Sequence, residues 1–258
     1  MNAKKFSDAM GEIDDRYIVE AVSYKRKAAK SRIIRRVVIV AGIAAVFLMV
    51  VLIINMQRNK IQLSDKSYNV TASYTSNPFM FFRHSGSLDW LTEEELFTKF
   101  DTAIFKGTIK EIRNIVVSFN GEKEYLAIAE IEVEKVYRGT CSEGDTVSVL
   151  IPCPVSAIMY ATDSTTVSAM KVGMTGIFMP MVYDDETAMW IKNGASLDQR
   201  DLADYGFADG ERYSFLEKGS GLVFNRGAYA SIADAATLDE VEEYIENMLE
   251  KLDGHEIK

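Results

Sequence analysis

The sequence predicts a single transmembrane helix followed by a mainly β domain that ends in an amphipathic helix. Three observations lead to this fold class. Residues 37–54 (VVIVAGIAAVFLMVVLII) carry no charged or polar side chain, residues 103–151 contain runs of alternating apolar and polar positions, and residues 238–252 carry apolar residues at helical spacing. A period of two is typical of strands, and a period of 3.6 is typical of helices.

The apolar run at residues 37–54 would be about 27 Å long as a helix, close to the roughly 30 Å of a hydrocarbon core. Seven Lys or Arg residues lie in the preceding segment 25–36, and such basic flanks stay cytoplasmic. We therefore expect a single-pass protein of the cell membrane with residues 1–36 as a cytoplasmic tail. A cleaved signal peptide is the alternative, but its apolar region would be shorter and would end at small residues.

The charge of the chain is divided unequally. Residues 1–36 hold ten of the 29 Lys and Arg but only five of the 38 Asp and Glu, so the remainder is strongly acidic. Binding of nucleic acid needs a basic patch, so no nucleic-acid partner is expected.

Residues 55–90 are polar and predict a stalk or lead-in, and residues 91–258 predict an extracytoplasmic β-barrel-like domain with flanking helices.

A short apolar stripe in the tail is interpreted as a partner-binding surface. Asp14 or Asp15 can cap a helix, after which apolar residues recur on one face. The residues assigned to this surface are Ile13, Tyr17, Ile18, Ala21 and Val22. A tail this short cannot form a core, so its helix should either dock on another protein or lie along the membrane surface. The pattern alone favours neither alternative.

The first elements of the β domain have clear local signals. Thr92, followed by three glutamates, has the form of a capping box that starts a short helix. Asn120-Gly121 predicts a tight hairpin turn. The strand over residues 125–137 shows the cleanest alternation in the chain, with Ala129, Ile131 and Val133 facing inward.

The second half of the domain is less regular. Residues 177–183 predict a strand that Pro180 confines to an edge or a bulge, and residues 188–192 are expected to return beside it across the turn 184–186. Thr237 should cap a C-terminal amphipathic helix that lies against the sheet. Its apolar stripe consists of Leu238, Val241, Ile245, Met248, Leu249 and Leu252.

Two resemblances add to this description. Residues 6–27 (FSDAMGEIDDRYIVEAVSYKRK), with the basic patch and apolar run behind them, resemble the N-terminal signature of single-pass, anti-sigma-factor-like membrane proteins of Gram-positive bacteria. This resemblance implies that the cytoplasmic tail binds a partner such as an RNA polymerase sigma factor. It covers under a tenth of the chain.

The second resemblance covers residues 103–182. The segments FKGTI at 105–109, VYRG at 136–139, GDTV at 144–147 and VGMTGIF at 172–178 are similar in order to small extracellular barrels of the OB-fold type, including netrin-like modules. The resemblance implies an OB-like barrel. Netrin-like modules usually carry several paired cysteines, whereas this chain has two, Cys141 and Cys153, so protease inhibition is not carried over.

The residues that could carry catalysis are few. The two histidines, His84 and His255, have no nucleophile near them in a catalytic pattern, and no zinc-binding or phosphate-binding motif occurs. Acidic clusters at residues 184–186, 198–204 and 209–211 do not follow a calcium-loop register, so solvated turn acids are the favoured interpretation. We therefore expect no enzyme, no cofactor and no metal. Cys141 and Cys153 could pair in an oxidising compartment, although unpaired thiols are favoured.

These observations predict a membrane-anchored signalling or regulatory protein. Its exterior β domain would bind an unidentified ligand, and its tail would dock a cytoplasmic partner such as a sigma factor. The alternative is a surface-displayed binding or envelope-scaffold module whose tail only sets the topology.

Overall fold

The computed structural model describes residues 16–24, 46, 47, 49, 50, 59–76, 88–155, 165–219 and 221–255. The chain divides into two compact units, Met1–Arg58 and Asn59–Lys258. In the first unit, residues 16–24 form a helix, here called the N-terminal helix, and Val46, Phe47, Met49 and Val50 are also helical. The second unit contains all the strands described below.

The expected transmembrane helix is not found. Among the described residues, no helix is both long enough and apolar enough to cross a bilayer. This finding corrects the predicted fold class, the spanning helix over residues 37–54, and the single-pass membrane location. Most of that run lies outside the described residues. The prediction rested on hydropathy, which measures the affinity of side chains for hydrocarbon and does not by itself establish one continuous helix.

The second unit is mainly β, which fits the β part of the predicted fold class. Its strands are β1 (Lys60–Ile61), β2 (Val70–Tyr74), β3 (Ile104–Phe119), β4 (Glu122–Arg138), β5 (Thr146–Ile151), β6 (Thr175–Phe178), β7 (Met181–Val182), β8 (Met189–Lys192), β9 (Ala195–Asp198), β10 (Tyr205–Gly206), β11 (Ser214–Lys218) and β12 (Gly221–Val223). The helices are α1 (Glu93–Thr98), α2 (Thr165–Ser168) and α3 (Leu238–His255).

The long hairpin β3–β4 is the centre of the sheet. Asn120 and Gly121 both have positive φ, 49° and 93°, as the tight turn requires, and Phe119 faces Glu122 across it. The predicted hairpin is therefore confirmed. Register shifts near Ile104, Lys106 and Ile109 interrupt the pairing, and such bulges bend a strand and increase its twist.

The main sheet curls back toward its own centre. Its order among the described strands is β12-β11-β6-β3-β4-β5-β10-β7, with β2 added beside β3 and β1 beside β2. The pair β5–β10 is parallel, and β10 pairs antiparallel with β7. A bridge between Met181 of β7 and Thr102, just before β3, brings the last strand back to the central one. The sheet therefore has the curvature of a half-barrel.

Both faces of β4 are buried. Ala127, Ala129 and Ile131 belong to the larger apolar cluster, while Leu126 and Ile128, which alternate with them, belong to a second cluster on the other face. Alternate residues of a strand point to opposite faces, so the sheet lies between two cores. The inward positions predicted for β4 are confirmed, since Ala129, Ile131 and Val133 are buried.

Helix α3 covers the larger core. Leu238, Val241 and Ile245 are buried, and Met248, Leu249 and Leu252 pack at the border of the cluster, as their spacing predicted. Thr237 and Glu240 form the helix start: the Glu240 carboxylate accepts from the main-chain N–H of Thr237 at 3.0 Å.

Polar contacts also hold α3. Tyr244 donates its hydroxyl to Glu93 of α1 at 2.8 Å. Glu242 pairs with Lys135 of β4 and lies 3.7 Å from Lys106 of β3. The C-terminal helix is therefore attached to the body by apolar and charged contacts together.

The pairing of β8 differs from the prediction. Met189–Lys192 does not return beside residues 177–183 but forms a two-stranded sheet with β9 across Asn193 and Gly194. Both turn residues have positive φ, 50° and 70°. The Asn-Gly signal was present in the sequence, and it outweighs the acidic turn at residues 184–186 because it matches the twist of a two-residue hairpin.

A close contact lies beside the parallel pair of strands. A Cβ atom built on Gly206 of β10 would lie 2.0 Å from the Tyr183 hydroxyl, far inside contact distance. The Tyr183 hydroxyl is buried and has no hydrogen-bond partner among the described residues. Burial raises the pKa of Tyr183 well above its ordinary value. Gly206 therefore leaves the space that this neutral side chain fills.

Candidate functional site

The predicted partner-binding residues lie on an exposed helix. Tyr17 is 68% exposed, Ile18 51% and Val22 53%, and Ala21 is exposed as well. Ile13 lies outside the described residues. The side chains of the described residues are therefore open to solvent.

Most of the exposed apolar residues form one face of the N-terminal helix, and Val19, which is 66% exposed, lies outside it. At 100° per residue, Tyr17, Ile18, Ala21 and Val22 fall within an arc of about 140°, and Tyr24 extends it to about 160°. We call these five residues the apolar face. Glu20 and Ser23 occupy the opposite side, where the Ser23 hydroxyl donates to the Glu20 carbonyl at 2.8 Å. Tyr24 was not among the predicted site residues, although its spacing of seven from Tyr17 indicates the same face.

The acidic clusters of the β domain act as acceptors within the fold. Asp201 accepts from Ser64 and Ser67, and Asp204 accepts from Ser148. Asp198 accepts from Arg200, which lowers the pKa of that carboxyl below its ordinary value. No group of three or more metal-ligating side chains occurs in the described ranges. These carboxylates hold loops in place by accepting hydrogen bonds, and their geometry indicates no further role.

A third acidic loop has the same character. Asp209 accepts from the main-chain N–H groups of Glu211 and Arg212 at 2.8 and 2.9 Å, and from the Arg212 side chain at 2.8 Å. The Glu211 carboxylate accepts from the main-chain N–H of Thr165 at the start of α2. Both carboxylates are nearly buried, and protein donors satisfy them.

One cleft of about 360 Å³ is open at the end of β2 and the middle of β3. Its lining residues are Asn59, Tyr74, Thr75, Ser76, Ile112, Arg113 and Asn114. The Arg113 guanidinium lies 4.4 Å from the centre of the Tyr74 ring and 2.5 Å from a Glu130 carboxylate oxygen. Because this charge is already matched, the cleft is polar without being a site for an anion.

Cys141 and Cys153 are not joined by a disulfide. Cys141 is half-buried and Cys153 is buried. Burial raises the pKa of Cys141, so its thiol is protonated near neutral pH and is a poor nucleophile. His84 and the side chain of His255 lie outside what the structure describes, so no histidine can be placed beside either thiol.

The apolar face and the cleft are thus the candidate sites among the described residues. The apolar face presents several large apolar side chains to solvent on one helix, which is the arrangement that a protein partner covers. Comparisons of this chain with family models, with curated proteins and with solved structures found no match.

Proposed function

We propose that this chain is a regulatory protein that binds another protein through the apolar face of its N-terminal helix, while its β domain binds a second ligand. The observation that carries the proposal is the exposure of Tyr17, Ile18 and Val22 on one side of the N-terminal helix. A partner with an apolar groove would bury them in the manner of helix-in-groove recognition.

The energetics support a helix that needs a partner. In proteins most helical stability comes from packing of an amphipathic face and not from intrinsic propensity, so a helix with an exposed apolar stripe gains stability from a partner. Fully burying a side chain such as Ile or Val contributes about 1.5–3 kcal/mol. Burial of Tyr17, Ile18 and Val22 would therefore offset part of the entropy lost when the segment is ordered.

The adjacent sequence indicates what kind of surface the partner has. Residues 25–36 contain seven Lys or Arg and no acid, so a partner with acidic residues beside its groove would gain ion pairs. The N-terminal resemblance implies that a sigma factor is such a partner, and we keep it as the specific candidate.

Site-specific crosslinking in cells tests this proposal. A photo-crosslinking amino acid is placed at Ile18 or Val22 of the full chain, and at Glu20 on the opposite side as the matched control. We expect one protein to be captured at Ile18 and Val22 but not at Glu20. Identification of a sigma factor by mass spectrometry would support the specific candidate. Equal capture at all three positions, or no capture, would overturn the docking proposal.

The cleft beside Tyr74 favours a second candidate function, a binding or scaffold module in which the N-terminal segment has no role. Replacing residues 6–24 by an unrelated polar sequence distinguishes the two candidates. A phenotype equal to that of the unchanged protein favours the module, whereas a phenotype equal to that of a deletion favours docking.

A further inference from the structure

Among the described residues, the outer edge of β8 has an unpaired main chain at Ile191. In the part of the chain that the structure describes, β8 pairs only with β9. Ser196 of β9 exchanges both of its main-chain hydrogen bonds with Tyr68, at 2.8 and 3.0 Å. Ile191 faces Ser196 in the register, so its own N–H and C=O point away from β9, toward the open edge.

The side chains at this edge form a small apolar patch. Tyr68, Ser196 and Ile191 lie opposite one another on three neighbouring strand segments, so their side chains project from the same face. Ile191 is 76% exposed and Tyr68 is 65% exposed. Two strand spacings, about 10 Å, separate them. We call Tyr68, Ser196 and Ile191 the edge patch.

The other face of β8 is anchored. Trp190 lies 4.7 Å from Phe119 between ring centres, and Leu197, which faces Trp190, is fully buried. Lys192, on the same side as Trp190, pairs with Glu122 at 2.9 Å. The strand is therefore held in place before any partner arrives, which lowers the entropic cost of pairing.

The turn that precedes β8 is acidic. In the turn before β8, Asp184 accepts from Thr187, and Asp185 pairs with Arg200 at 3.1 Å. Glu186 completes the turn with its side chain exposed. A ligand strand with a basic residue at this end would be attracted, whereas an acidic one would be repelled.

We propose that the outer edge of β8 binds an extended peptide segment of a partner protein by β-strand addition. Ile191 supplies the main-chain hydrogen bonds, the edge patch receives an alternating apolar side chain, and Glu186 faces a basic residue. A second copy of this chain is the less suitable occupant, because a four-residue edge buries far less than the roughly 800 Å² per partner of a stable interface.

Binding of a labelled peptide to the purified full chain tests this inference. The probe is Lys-Thr-Val-Thr-Val-Thr-Lys, followed by fluorescence anisotropy, with the Ile191 amide signal followed by NMR. We expect saturable binding at peptide concentrations up to about 1 mM, with a shift of the Ile191 amide. Ile191→Asp should weaken binding at least about tenfold, because it places a charge in the apolar contact.

Val172→Asp is the matched control, because Val172 is 62% exposed and lies outside β8. It should leave the affinity within about twofold. Glu186→Lys should weaken binding severalfold at low salt and less at high salt, since surface charges are screened. Binding that persists in the Ile18→Asp variant separates this inference from the proposed role of the N-terminal helix.

Two results would overturn the inference. A peptide N-methylated at every amide cannot donate main-chain hydrogen bonds, so equal binding of that peptide would show that no strand is added. Concentration-dependent dimerisation in analytical ultracentrifugation that Ile191→Asp abolishes would assign the edge to a second copy of the chain instead.

Discussion

The N-terminal helix and α3 carry similar apolar patterns and have opposite environments. In α3, Val241 and Ile245 are fully buried against the sheet, whereas in the N-terminal helix Tyr17 and Ile18 are more than half exposed. The pattern shows which face of a helix gains from burial. It does not show whether the surface that buries this face belongs to the same chain. A structural helix is buried by its own chain, whereas a candidate docking helix is left for a partner to bury.

The largest expected effect is a difference in the free energy of unfolding between variants of the two helices. Ile245→Ala should lower the free energy of unfolding by about 2–5 kcal/mol, because it leaves a cavity under α3. Ile18→Ala should change it by less than about 0.5 kcal/mol, because the side chain is exposed. Urea unfolding of the two variants measures both values. Equal losses would mean that Ile18 is buried within this chain, which would break the comparison.

Paired tyrosine variants sharpen the comparison. Tyr244→Phe removes the hydroxyl that donates to Glu93 and should cost about 1–2 kcal/mol, as expected for a hydrogen bond to a charged group. Tyr24→Phe in the N-terminal helix is the control and should be neutral, because Tyr24 is exposed. Thermal unfolding checks both. A neutral Tyr244→Phe variant would show that the link between α1 and α3 does not contribute to stability.

The start of α3 gives a smaller effect. Thr237→Ala should cost about 1 kcal/mol, because the hydroxyl that caps the first turn is lost. Thr237→Ser keeps the hydroxyl and should restore most of the stability. Denaturant midpoints of the two variants are the measurement, and equal loss in both would mean that the methyl group, not the cap, contributes.

The smallest effect is a dependence on pH. The hydrogen bond from Lys135 holds the pKa of Glu242 below its ordinary value, against the opposing effect of burial. A carboxyl with a lowered pKa stabilises the fold above its ordinary pKa of about 4.3, and this contribution is lost as the pH falls through the lower folded value.

Glu242→Gln should therefore flatten the fall in stability below about pH 4.3. The pair is partly open to solvent, so the difference should be small and should shrink in high salt. Urea unfolding of both proteins between neutral and acidic pH tests this. If the variant loses stability in acid as steeply as the original, Glu242 does not contribute to the attachment of α3.

Local signals in the sequence predicted local structure well. Asn120-Gly121 gave the central hairpin, and Thr92 and Thr237 gave the starts of α1 and α3, because each signal acts within a few residues. The parallel pair β5–β10 was missed, because β10 has only two residues and shows no period. Such pairing depends on contacts distant in the sequence, which no short pattern contains.

The candidate sites also differ in whether local sequence could predict them. Tyr17, Ile18, Ala21 and Val22 were placed on one face from their spacing, and the structure places them there. The edge patch could not be predicted, because the exposure of Ile191 depends on β8 pairing with β9 and having no strand on its other side. Hydropathy counts side chains and not main-chain geometry, so it could not by itself establish the spanning helix predicted for residues 37–54.

The contact between Gly206 and Tyr183 has a consequence for how this protein can vary. A methyl group at Gly206 requires the Tyr183 ring to move, so Gly206→Ala alone should be harmful, whereas the same change beside a smaller residue at Tyr183 should be tolerated. The two positions are thus expected to covary in evolution. Any distant relative that lacks this glycine should also have lost the tyrosine, and such paired replacement would identify kinship where overall similarity is too low to detect.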